Sequence, residues 1–379
     1  MPSPPEPAFA EPRHVGRPNI GDRERLSSLI EGALDRKWLT NDGPLVDDFE
    51  RRVAEISGAE HCVAVSSATV GLQLVAHALG LTGQVIVPSF TFIGTAHALS
   101  WIGLEPVFVE IDEATHTIDP AAVEAAIKPA TSAILGVHLW GGPCAVKELA
   151  EIARRHDLKL FFDAAHALGC TYAGQPIGGC GGASVFSFHA TKVASSAEGG
   201  AITTNDESLA HRLRSTRNFG FATYDTVTEL GTNAKMSELC AAVGISSLES
   251  LDSFVEVNRR NYARYARELE GVEGVRLMPR ADGERHNDHY VVVEVMGESP
   301  EGRRDSIVAA LHAENILARR YFYPGCHRLE PYRAAGQSLP VTENVAARVI
   351  ALPTGTSVSE EDVAVICSVV QASADRLEQ

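Results

Sequence analysis

The stretch LFFDAAH at Leu160–His166 is a short apolar run that ends in an aspartate, and runs of this kind decide the fold. They recur between residues 61 and 203, and helical patterns such as Ala121–Ile127 and Ala145–Arg154 lie between most of them. This alternation predicts an α/β fold with a mostly parallel sheet that is covered by helices. The predicted strands are His61–Val65, Gln84–Val87, Pro106–Glu110, Ser132–Val137, Leu158–Phe162, Ala183–Phe188 and Gly200–Thr203.

The length of 379 residues predicts about two or three domains. We place a large sheet domain at residues 1–250, which begins with a loose arm at residues 1–18, and a smaller α+β domain at residues 251–379. Asp22 is the predicted N-cap of the first helix, and Gly58 is the predicted end of the second. A long helical pattern from about residue 237 to 267 leaves the first domain and begins the second.

Composition and charge argue against several classes of function. The net charge of −16 disfavours binding to nucleic acid or to anionic membranes, but it does not exclude a phosphorylated small substrate. No apolar stretch is long enough to span a bilayer, and the N-terminal segment lacks the parts of a signal peptide, so we expect a cytoplasmic protein. The seven cysteines include no C-x-x-C pair, so neither a disulfide framework nor a zinc site is predicted.

Lys192 is the strongest candidate for a catalytic residue. It ends the segment SFHATK at Ser187–Lys192, after an apolar run that fits a central strand and before the small, polar segment Ser195–Gly200. Most lysines are solvated surface residues, and that alternative stands for any lysine taken alone. A lysine that is partly desolvated in such a loop loses its proton more easily, as a residue that forms a Schiff base with an aldehyde must.

Two further segments predict a site for pyridoxal phosphate (PLP). Asp163 ends a strand, where its carboxylate can hold a pyridinium nitrogen, although a helix N-cap is its commoner role when it is taken alone. The segment SSAT at Ser66–Thr69 joins a strand to a helix whose N-terminus can bind phosphate, although simple capping by serine explains it as well. Ser187 can add a hydroxyl to the same phosphate. Together with Lys192, these residues predict a PLP enzyme.

Aromatic and histidine side chains nearby are candidates for contacts with the cofactor ring. Phe92, in the segment PSFTF, can stack on a pyridine face, but a core position is the equal alternative and Phe90 competes for the role. His166 can contact the ring or its hydroxyl, whereas His189 is interpreted as structural. The segment Gly178–Gly182 lacks the G-x-G-x-x-G spacing, so a nicotinamide-dependent oxidoreductase is disfavoured, and no motif predicts a metal site.

Taken in order, the segments SSAT, PSFTF, DAAHALG, SFHATK, EGGAI and GTNAKMSE resemble the DegT/StrS family of sugar aminotransferases, from about Gly16 into the C-terminal domain. The resemblance implies a PLP-dependent transferase of fold type I, like aspartate aminotransferase, with a large sheet domain and a smaller C-terminal domain. It also implies a homodimer whose active sites both lie at the subunit interface. The sequence departs from the family where Ala68 replaces a usual glycine, and where Ala234 and Lys235 replace the commoner Tyr and Arg.

The resemblance implies a role for each matching residue. Lys192 matches the lysine that carries PLP, and Asp163 matches the partner of the pyridine nitrogen. The other matches are His166 against the cofactor hydroxyl, Phe92 on the ring, Ala68, Thr69 and Ser187 around the phosphate, Asn233 reaching the phosphate from the partner subunit, and His327 near the sugar nucleotide.

The implied reaction transfers an amino group from L-glutamate to a keto group of a nucleotide-linked deoxyhexose, for an antibiotic sugar or a polysaccharide. Lys192 acts in it as nucleophile and as general acid and base. The pattern SFHxxK followed by EGG is similar to enzymes that act at C4, so a dTDP-4-keto-6-deoxyhexose is the expected acceptor. The alternatives are C3 amination of a dTDP-3-keto-6-deoxyhexose and a PLP-binding regulator without turnover. A sugar dehydratase of the same fold is disfavoured, because these enzymes place histidine at the position of Lys192.

Overall fold

The computed structural model describes residues 6–378, and a seven-stranded sheet forms its centre. The helices are α1 (Arg23–Arg36), α2 (Pro44–Ser57), α3 (Ala68–Ala78), α4 (Ile93–Trp101), α5 (Pro120–Ala126), α6 (Val146–Arg155), α7 (Glu207–Thr216), α8 (Glu238–Glu249), α9 (Leu251–Glu268), α10 (Pro300–Ala313), α11 (Pro340–Arg348) and α12 (Glu360–Glu378). The strands are β1 (Arg13–His14), β2 (His61–Val65), β3 (Gln84–Pro88), β4 (Glu105–Val109), β5 (Thr131–Val137), β6 (Lys159–Asp163), β7 (Thr171–Tyr172), β8 (Gln175–Pro176), β9 (Ser184–Ser187), β10 (Gly200–Thr204), β11 (Phe221–Thr223), β12 (Thr226–Val227), β13 (Val275–Leu277), β14 (Val291–Val295), β15 (Ile316–Leu317) and β16 (Val349–Leu352).

The central sheet has the strand order β2-β10-β9-β6-β5-β3-β4. Strand β10 is antiparallel to both of its neighbours, whereas the pairs from β9 to β4 are all parallel. Buried side chains of α3, α4 and α7 pack on one face, and those of α2, α5, α6 and α8 pack on the other. Helices on both faces are what a sheet of almost continuously apolar strands requires. The predicted mostly parallel α/β fold is therefore confirmed.

The seven predicted strands are all present, with ends that differ by at most one residue from the prediction. The predicted helix ends are also confirmed. The Asp22 carboxylate accepts hydrogen bonds from the amides of Glu24 and Arg25 at 2.8 and 3.0 Å, and so caps α1. Gly58 ends α2 with a φ of 68°, a left-handed conformation that glycine adopts without steric cost.

A smaller unit is built around the antiparallel sheet β13-β14-β16, and α9, α10 and α12 share one buried apolar cluster with it. The helical pattern from about residue 237 to 267 forms two helices rather than one, because α8 ends at Glu249 and α9 begins at Leu251. This break lies where the sequence predicts the start of the second domain. Among residues 6–378, no helix is both long and apolar enough to cross a membrane.

The N-terminal arm corrects one expectation. Residues 1–5 lie outside the described chain, but the rest of the predicted loose arm is tied to the smaller unit. Strand β1 pairs with β15 in parallel, and the ring of Phe9 is buried in the apolar cluster of that unit. The side-chain amide of Asn315 donates to the carbonyl of Phe9 at 2.7 Å. The prediction of a loose arm is wrong over residues 9–14, since the short strand β15 offers an edge for pairing.

Candidate active site

A cavity of about 310 Å³ lies beyond the carboxyl ends of the parallel strands, where ligands bind in sheets of this type. Loops that follow β2, β3, β6 and β9 supply most of its walls, and the smaller unit closes one side with Tyr290, Tyr321 and Phe322. The fold brings seven of the nine predicted site residues together around this cavity. They are Ala68, Thr69, Phe92, Asp163, His166, Ser187 and Lys192.

Lys192 follows β9 and directs its amine to the interior of the cavity, with Nζ 3.2 Å from the Tyr290 hydroxyl. Burial lowers the pKa of Lys192 to about 8, and the negative charge of Asp163 opposes that shift. At a pKa of about 8, roughly a tenth of the side chain is a neutral amine at pH 7, far more than for an ordinary lysine. The neutral amine is the form that attacks an aldehyde.

Asp163 forms the polar floor of the cavity at the end of the central strand β6. Its Oδ2 accepts a hydrogen bond from Thr95 Oγ1 at 2.8 Å, and its Oδ1 accepts one from the amide of Ala165 at 3.0 Å. No helix begins here, so the alternative role as a helix N-cap is not realised. Burial raises the pKa of Asp163, and the two hydrogen bonds oppose that rise. The carboxylate is thus fixed in place and poorly solvated, which strengthens its attraction to a nearby cation.

The turn before α3 lines another part of the cavity. Ser67 caps the helix, because its side chain accepts from the amide of Val70 at 3.2 Å. The amides of Ala68 and Thr69 belong to the first turn, which has no partners within its own helix and which carries the positive end of the helix dipole. A Cβ atom at Gly200 of β10 would lie 2.6 Å from the Ala68 amide nitrogen. The second glycine of the EGG segment is therefore required for β10 to pass so close to this turn.

The structure separates the two phenylalanines that compete for the ring-stacking role. Phe90 is only 1% exposed and packs edge-on against Trp140 and Phe322, with ring centroids 6.0 and 5.5 Å apart. Phe92 is 59% exposed and lines the cavity. A Cβ atom at Gly94 would lie 3.0 Å from Phe92 Cδ1, so this glycine makes room for the ring.

His166 lies between the floor of the cavity and the smaller unit. Its ring stacks on Tyr290 with centroids 4.1 Å apart and planes inclined by 30°. Burial lowers the pKa of His166 well below its ordinary value, with the positive charge of Lys192 acting in the same direction, so the ring is neutral. Within the described chain, its Nδ1 is buried and has no hydrogen-bond partner. A buried polar atom without a partner is a position where a ligand atom is expected.

Two predicted residues lie away from this cavity. Asn233 is exposed and pairs with Asn218 through an isolated β-bridge. His327 is buried, with Nε2 donating to Glu343 Oε1 at 3.0 Å and Nδ1 lying 2.6 Å from Ser89 Oγ. Both ring nitrogens of His327 are thus engaged inside the protein. Within residues 6–378, no group of three or more His, Cys, Asp or Glu side chains is arranged to hold a metal ion.

Sequence reasoning missed the wall that the smaller unit contributes. Tyr290 precedes β14, whereas Tyr321 and Phe322 follow β15, and no local pattern ties either segment to the strand ends of the large sheet. Thr95 was missed as well, although it lies one helical turn after Thr91 and donates to Asp163. Helix α4 follows β3, whose carboxyl end lies at the same edge of the sheet as that of β6. A hydroxyl in the first turn of such a helix is the signal that would have identified Thr95.

The residues around the cavity fit PLP. A fixed carboxylate lies at the floor for a pyridinium nitrogen, a buried amine of lowered pKa lies beside it, and a helix N-terminus is open for a phosphate. The unpartnered Nδ1 of His166 and the exposed ring of Phe92 suit the hydroxyl and the face of the same ring. The parallel sheet, the smaller C-terminal unit and this site define a PLP-dependent enzyme of fold type I.

The chain belongs to the DegT/DnrJ/EryC1/StrS aminotransferase family, whose sequence model matches residues 21–371. The protein is therefore a PLP-dependent aminotransferase, and the predicted family and cofactor are confirmed.

Three comparisons illustrate the similarity. The chain is 50% identical to DesI, whose crystal structure in the presence of its TDP-sugar product superposes with a TM-score of 0.94 over 98% of this chain and 95% of DesI. It is 34% identical over 95% of its length to a dTDP-4-amino-4,6-dideoxy-D-glucose transaminase of Shigella dysenteriae, covering 99% of that protein. It is also 34% identical to a UDP-N-acetyl-3-dehydro-alpha-D-glucosamine 3-aminotransferase of Acidithiobacillus ferrooxidans, over 88% of this chain and 92% of that one.

Proposed function

We propose that the protein transfers an amino group from L-glutamate to the C4 keto group of a dTDP-linked 4-keto-6-deoxyhexose. The observation that carries the proposal is the placement of a buried lysine of lowered pKa beside the fixed carboxylate of Asp163, within one cavity. The names of the DesI structure and of the Shigella transaminase support a thymidine-diphosphate sugar. The Shigella enzyme's name supports position 4.

Each wall of the cavity has a task in this proposal. Bound PLP supplies an aldehyde that condenses with amines and a ring that withdraws electrons. Lys192 carries the cofactor and later moves a proton at the reacting carbon, which its pKa of about 8 permits in both directions. Asp163 keeps the ring nitrogen protonated by holding a negative charge in a poorly solvated position. The first-turn amides of Ala68 and Thr69, together with the Ser187 hydroxyl, hold the phosphate.

Two other residues complete the cofactor site. Phe92 covers one face of the ring, where its exposed aromatic side chain excludes water. Neutral His166 binds the ring hydroxyl through Nδ1, the nitrogen that has no other partner within the described residues. His327 has both ring nitrogens engaged by Ser89 and Glu343, so we propose that any effect it has on the sugar nucleotide is indirect.

We also propose that the protein is a homodimer in which Asn233 completes the phosphate site of the partner subunit. The hairpin β11–β12 and its flanks expose large apolar side chains, and Asn233 follows directly after them. Apolar side chains exposed together mark a surface that another protein covers. They are Phe219, Phe221, Tyr224, Val227 and Leu230.

Mixed dimers test this arrangement. Lys192→Ala and Asn233→Ala are each expected to lower activity when they are present in both subunits. A dimer of one subunit of each variant has one site with both residues intact, provided that Asn233 serves its partner. Activity should therefore recover to roughly half of the wild-type value per mixed dimer. If Asn233 served its own subunit, every site would lack one residue and the mixture would stay inactive.

The substrate proposal is tested by paired assays. Purified protein is supplied with L-glutamate and either the 4-keto or the 3-keto isomer of a dTDP-6-deoxyhexose, and 2-oxoglutarate and the amino sugar are quantified. Faster amination of the 3-keto isomer would favour the alternative suggested by the 3-aminotransferase relative. Absence of turnover with every keto sugar would favour a PLP-binding regulator. Borohydride fixation followed by peptide mapping should place the cofactor on Lys192, and Lys192→Ala should remove both the visible absorption and turnover.

We place the reaction in the cytoplasm. All seven cysteines are free thiols in the structure, as expected for a protein of a reducing compartment.

A further inference from the structure

Two buried side chains hold the backbone on either side of Lys192. His289 Nε2 donates a hydrogen bond to the carbonyl of Thr191 at 2.7 Å, and Asn19 Nδ2 donates one to the carbonyl of Val193 at 3.0 Å. Both residues are far from Lys192 in sequence, and they are only 4% and 2% exposed. Neither lines the cavity, so they act on the catalytic lysine through the backbone of its two neighbours, Thr191 and Val193.

Asn19 joins three parts of the chain. While its Nδ2 holds the Val193 carbonyl, its Oδ1 accepts hydrogen bonds from both the amide and the hydroxyl of Thr356, at 3.1 and 2.9 Å. Thr356 belongs to the segment between β16 and α12 of the smaller unit. Gly16 adds a steric contact, since a Cβ atom there would lie 3.0 Å from Thr191 Cβ. Residues 16–19 thus contact both the Lys192 loop and the smaller unit.

His289 connects the same loop to the start of β14. Its neighbour Tyr290 contacts Lys192 Nζ, so one dipeptide binds both the backbone before Lys192 and the amine itself. Asn287 holds the dipeptide from the other side: its Oδ1 accepts from the His289 amide at 3.2 Å, and its Nδ2 donates to the carbonyl of His166 at 2.9 Å. The smaller unit therefore fixes the lysine loop and the aspartate loop through one short segment.

We propose that Asn19 and His289 are positioning residues, which make the placement of the Lys192 amine depend on the docking of the arm and the smaller unit onto the large sheet. The inference depends on the role proposed above for Lys192. The lysine side chain has four rotatable bonds, so its amine is placed accurately only when the backbone that carries it is fixed. A displacement of about 1 Å at a reacting group costs up to about a hundredfold in rate.

Four variants test the proposal in the PLP-loaded protein. His289→Ala removes one carbonyl contact, and His289→Gln keeps a donor nitrogen of similar reach. Asn19→Asp keeps an acceptor for Thr356 but has no N–H for Val193. Asn19→Ala removes both contacts.

Two residues of the smaller unit serve as matched controls. His312 Nε2 donates to the carbonyl of Ala318 at 2.9 Å, and Gln371 Nε2 donates to that of Glu268 at 2.6 Å. His312→Ala and Gln371→Ala remove hydrogen bonds of the same two kinds, away from both the lysine loop and the arm.

The measurements are kcat, KM for the sugar nucleotide, the thermal unfolding midpoint and the pH midpoint of the visible absorption of the bound cofactor. The pH midpoint reports the electrostatic environment of the Lys192 amine. The titratable groups that face this amine are Asp163, His166, His289, Tyr290 and Tyr321.

We expect His289→Ala and Asn19→Asp to lower kcat on the order of tenfold or more, while KM changes by less than about twofold. The pH midpoint should move by about half a unit or more, and His289→Gln should restore most of kcat and the midpoint. The control variants should change only the unfolding midpoint. Unchanged kcat and pH midpoint in folded His289→Ala and Asn19→Asp would overturn the inference. Fixation of PLP on another lysine of the wild-type protein would instead overturn the proposed role of Lys192.

Discussion

The hydroxyl of Tyr290 lies 3.2 Å from Nζ of Lys192, although 98 positions separate the two residues and they belong to different structural units. The same tyrosine ring stacks on His166 at a centroid distance of 4.1 Å. The large sheet provides the amine, the carboxylate and the phosphate turn, and the smaller unit adds Tyr290, Tyr321 and Phe322 to the walls of the same cavity. The pKa of Lys192 is lowered by burial in a cavity that both units line.

Tyr290→Phe tests the contact with the amine, because phenylalanine keeps the ring stacked on His166 and removes only the hydroxyl. The charged form of Lys192 then loses a hydrogen-bond acceptor, so its pKa should fall below about 8. We expect kcat to fall on the order of tenfold and the basic limb of the pH–rate profile to move to lower pH. Tyr332→Phe, which removes a hydroxyl that is hydrogen-bonded to Ser100 Oγ away from the cavity, is the control. A profile that moves equally in both variants would contradict a specific role for Tyr290.

Asp163→Asn and Thr95→Val separate the charge of the floor carboxylate from its orientation. The asparagine removes the negative charge, and we expect kcat to fall by on the order of a hundredfold or more. The valine keeps the charge and removes the hydrogen bond that Thr95 donates at 2.8 Å. Because that bond opposes the rise in pKa caused by burial, the pKa of Asp163 should increase further.

For Thr95→Val, the acidic loss of activity should accordingly begin at higher pH, while kcat at the optimum falls less than in Asp163→Asn. A pH series of initial rates for both variants provides the measurement. An unchanged acidic limb in Thr95→Val would mean that the threonine does not tune the carboxylate.

The contrast between Asp163 and Tyr290 shows which residues of the cavity can be predicted from sequence and which cannot. Asp163, Lys192 and the turn at Ser67 lie at the ends of apolar strands, and a parallel sheet gathers such ends at one edge. Their proximity follows from local patterns. Tyr290 and Phe322 reach the cavity only when the smaller unit docks, and docking depends on long-range packing that no local periodicity records.

The misplaced expectations have similar causes. Phe9 lies in a proline-rich segment that suggests a loose arm, yet it is buried because the apolar cluster of the smaller unit has room for it. The hydrophobic pattern is continuous from about residue 237 to 267, but the helix is interrupted at Ser250, where the chain passes from one unit to the other. The role of Asn233 stays a prediction, because in the proposed homodimer its position relative to a phosphate would depend on a second subunit. A single chain does not contain that information.

Gly200→Ala tests the close approach of β10 to the phosphate turn. The added Cβ would lie 2.6 Å from the Ala68 amide nitrogen, so the turn or the strand must move. We expect weaker PLP binding and a loss of about 1–3 kcal/mol in the free energy of unfolding. Equilibrium dialysis against PLP and urea unfolding are the measurements. Gly302→Ala in α10 is the matched control, because its Cβ meets no atom within 4 Å and should slightly stabilise the helix. Equal effects of the two substitutions would rule out a steric role for Gly200.

Glu294 on β14 should make the free energy of unfolding depend on pH in the acidic range. Its carboxylate is fully buried and accepts hydrogen bonds from His116 at 3.3 Å and from Arg276 and Arg348, each at 2.8 Å. Burial would raise the pKa of Glu294, but these bonds outweigh it and lower the value from 4.5 to about 2. Since the folded protein holds this proton less tightly than the unfolded chain, the interaction stabilises fully above pH 5 or so and is lost as pH falls through 2.

The difference of roughly two and a half pKa units corresponds to about 3 kcal/mol. Wild-type protein should therefore lose about 3 kcal/mol more between neutral and strongly acidic pH than Glu294→Gln, measured as the free energy of urea unfolding. At neutral pH the variant should be less stable, because the buried guanidinium of Arg348 loses its main partner. Glu124→Gln, in an exposed ion pair with Arg155, should leave the pH dependence nearly unchanged. The same acid slope in wild type and Glu294→Gln would show that other carboxylates control acid unfolding.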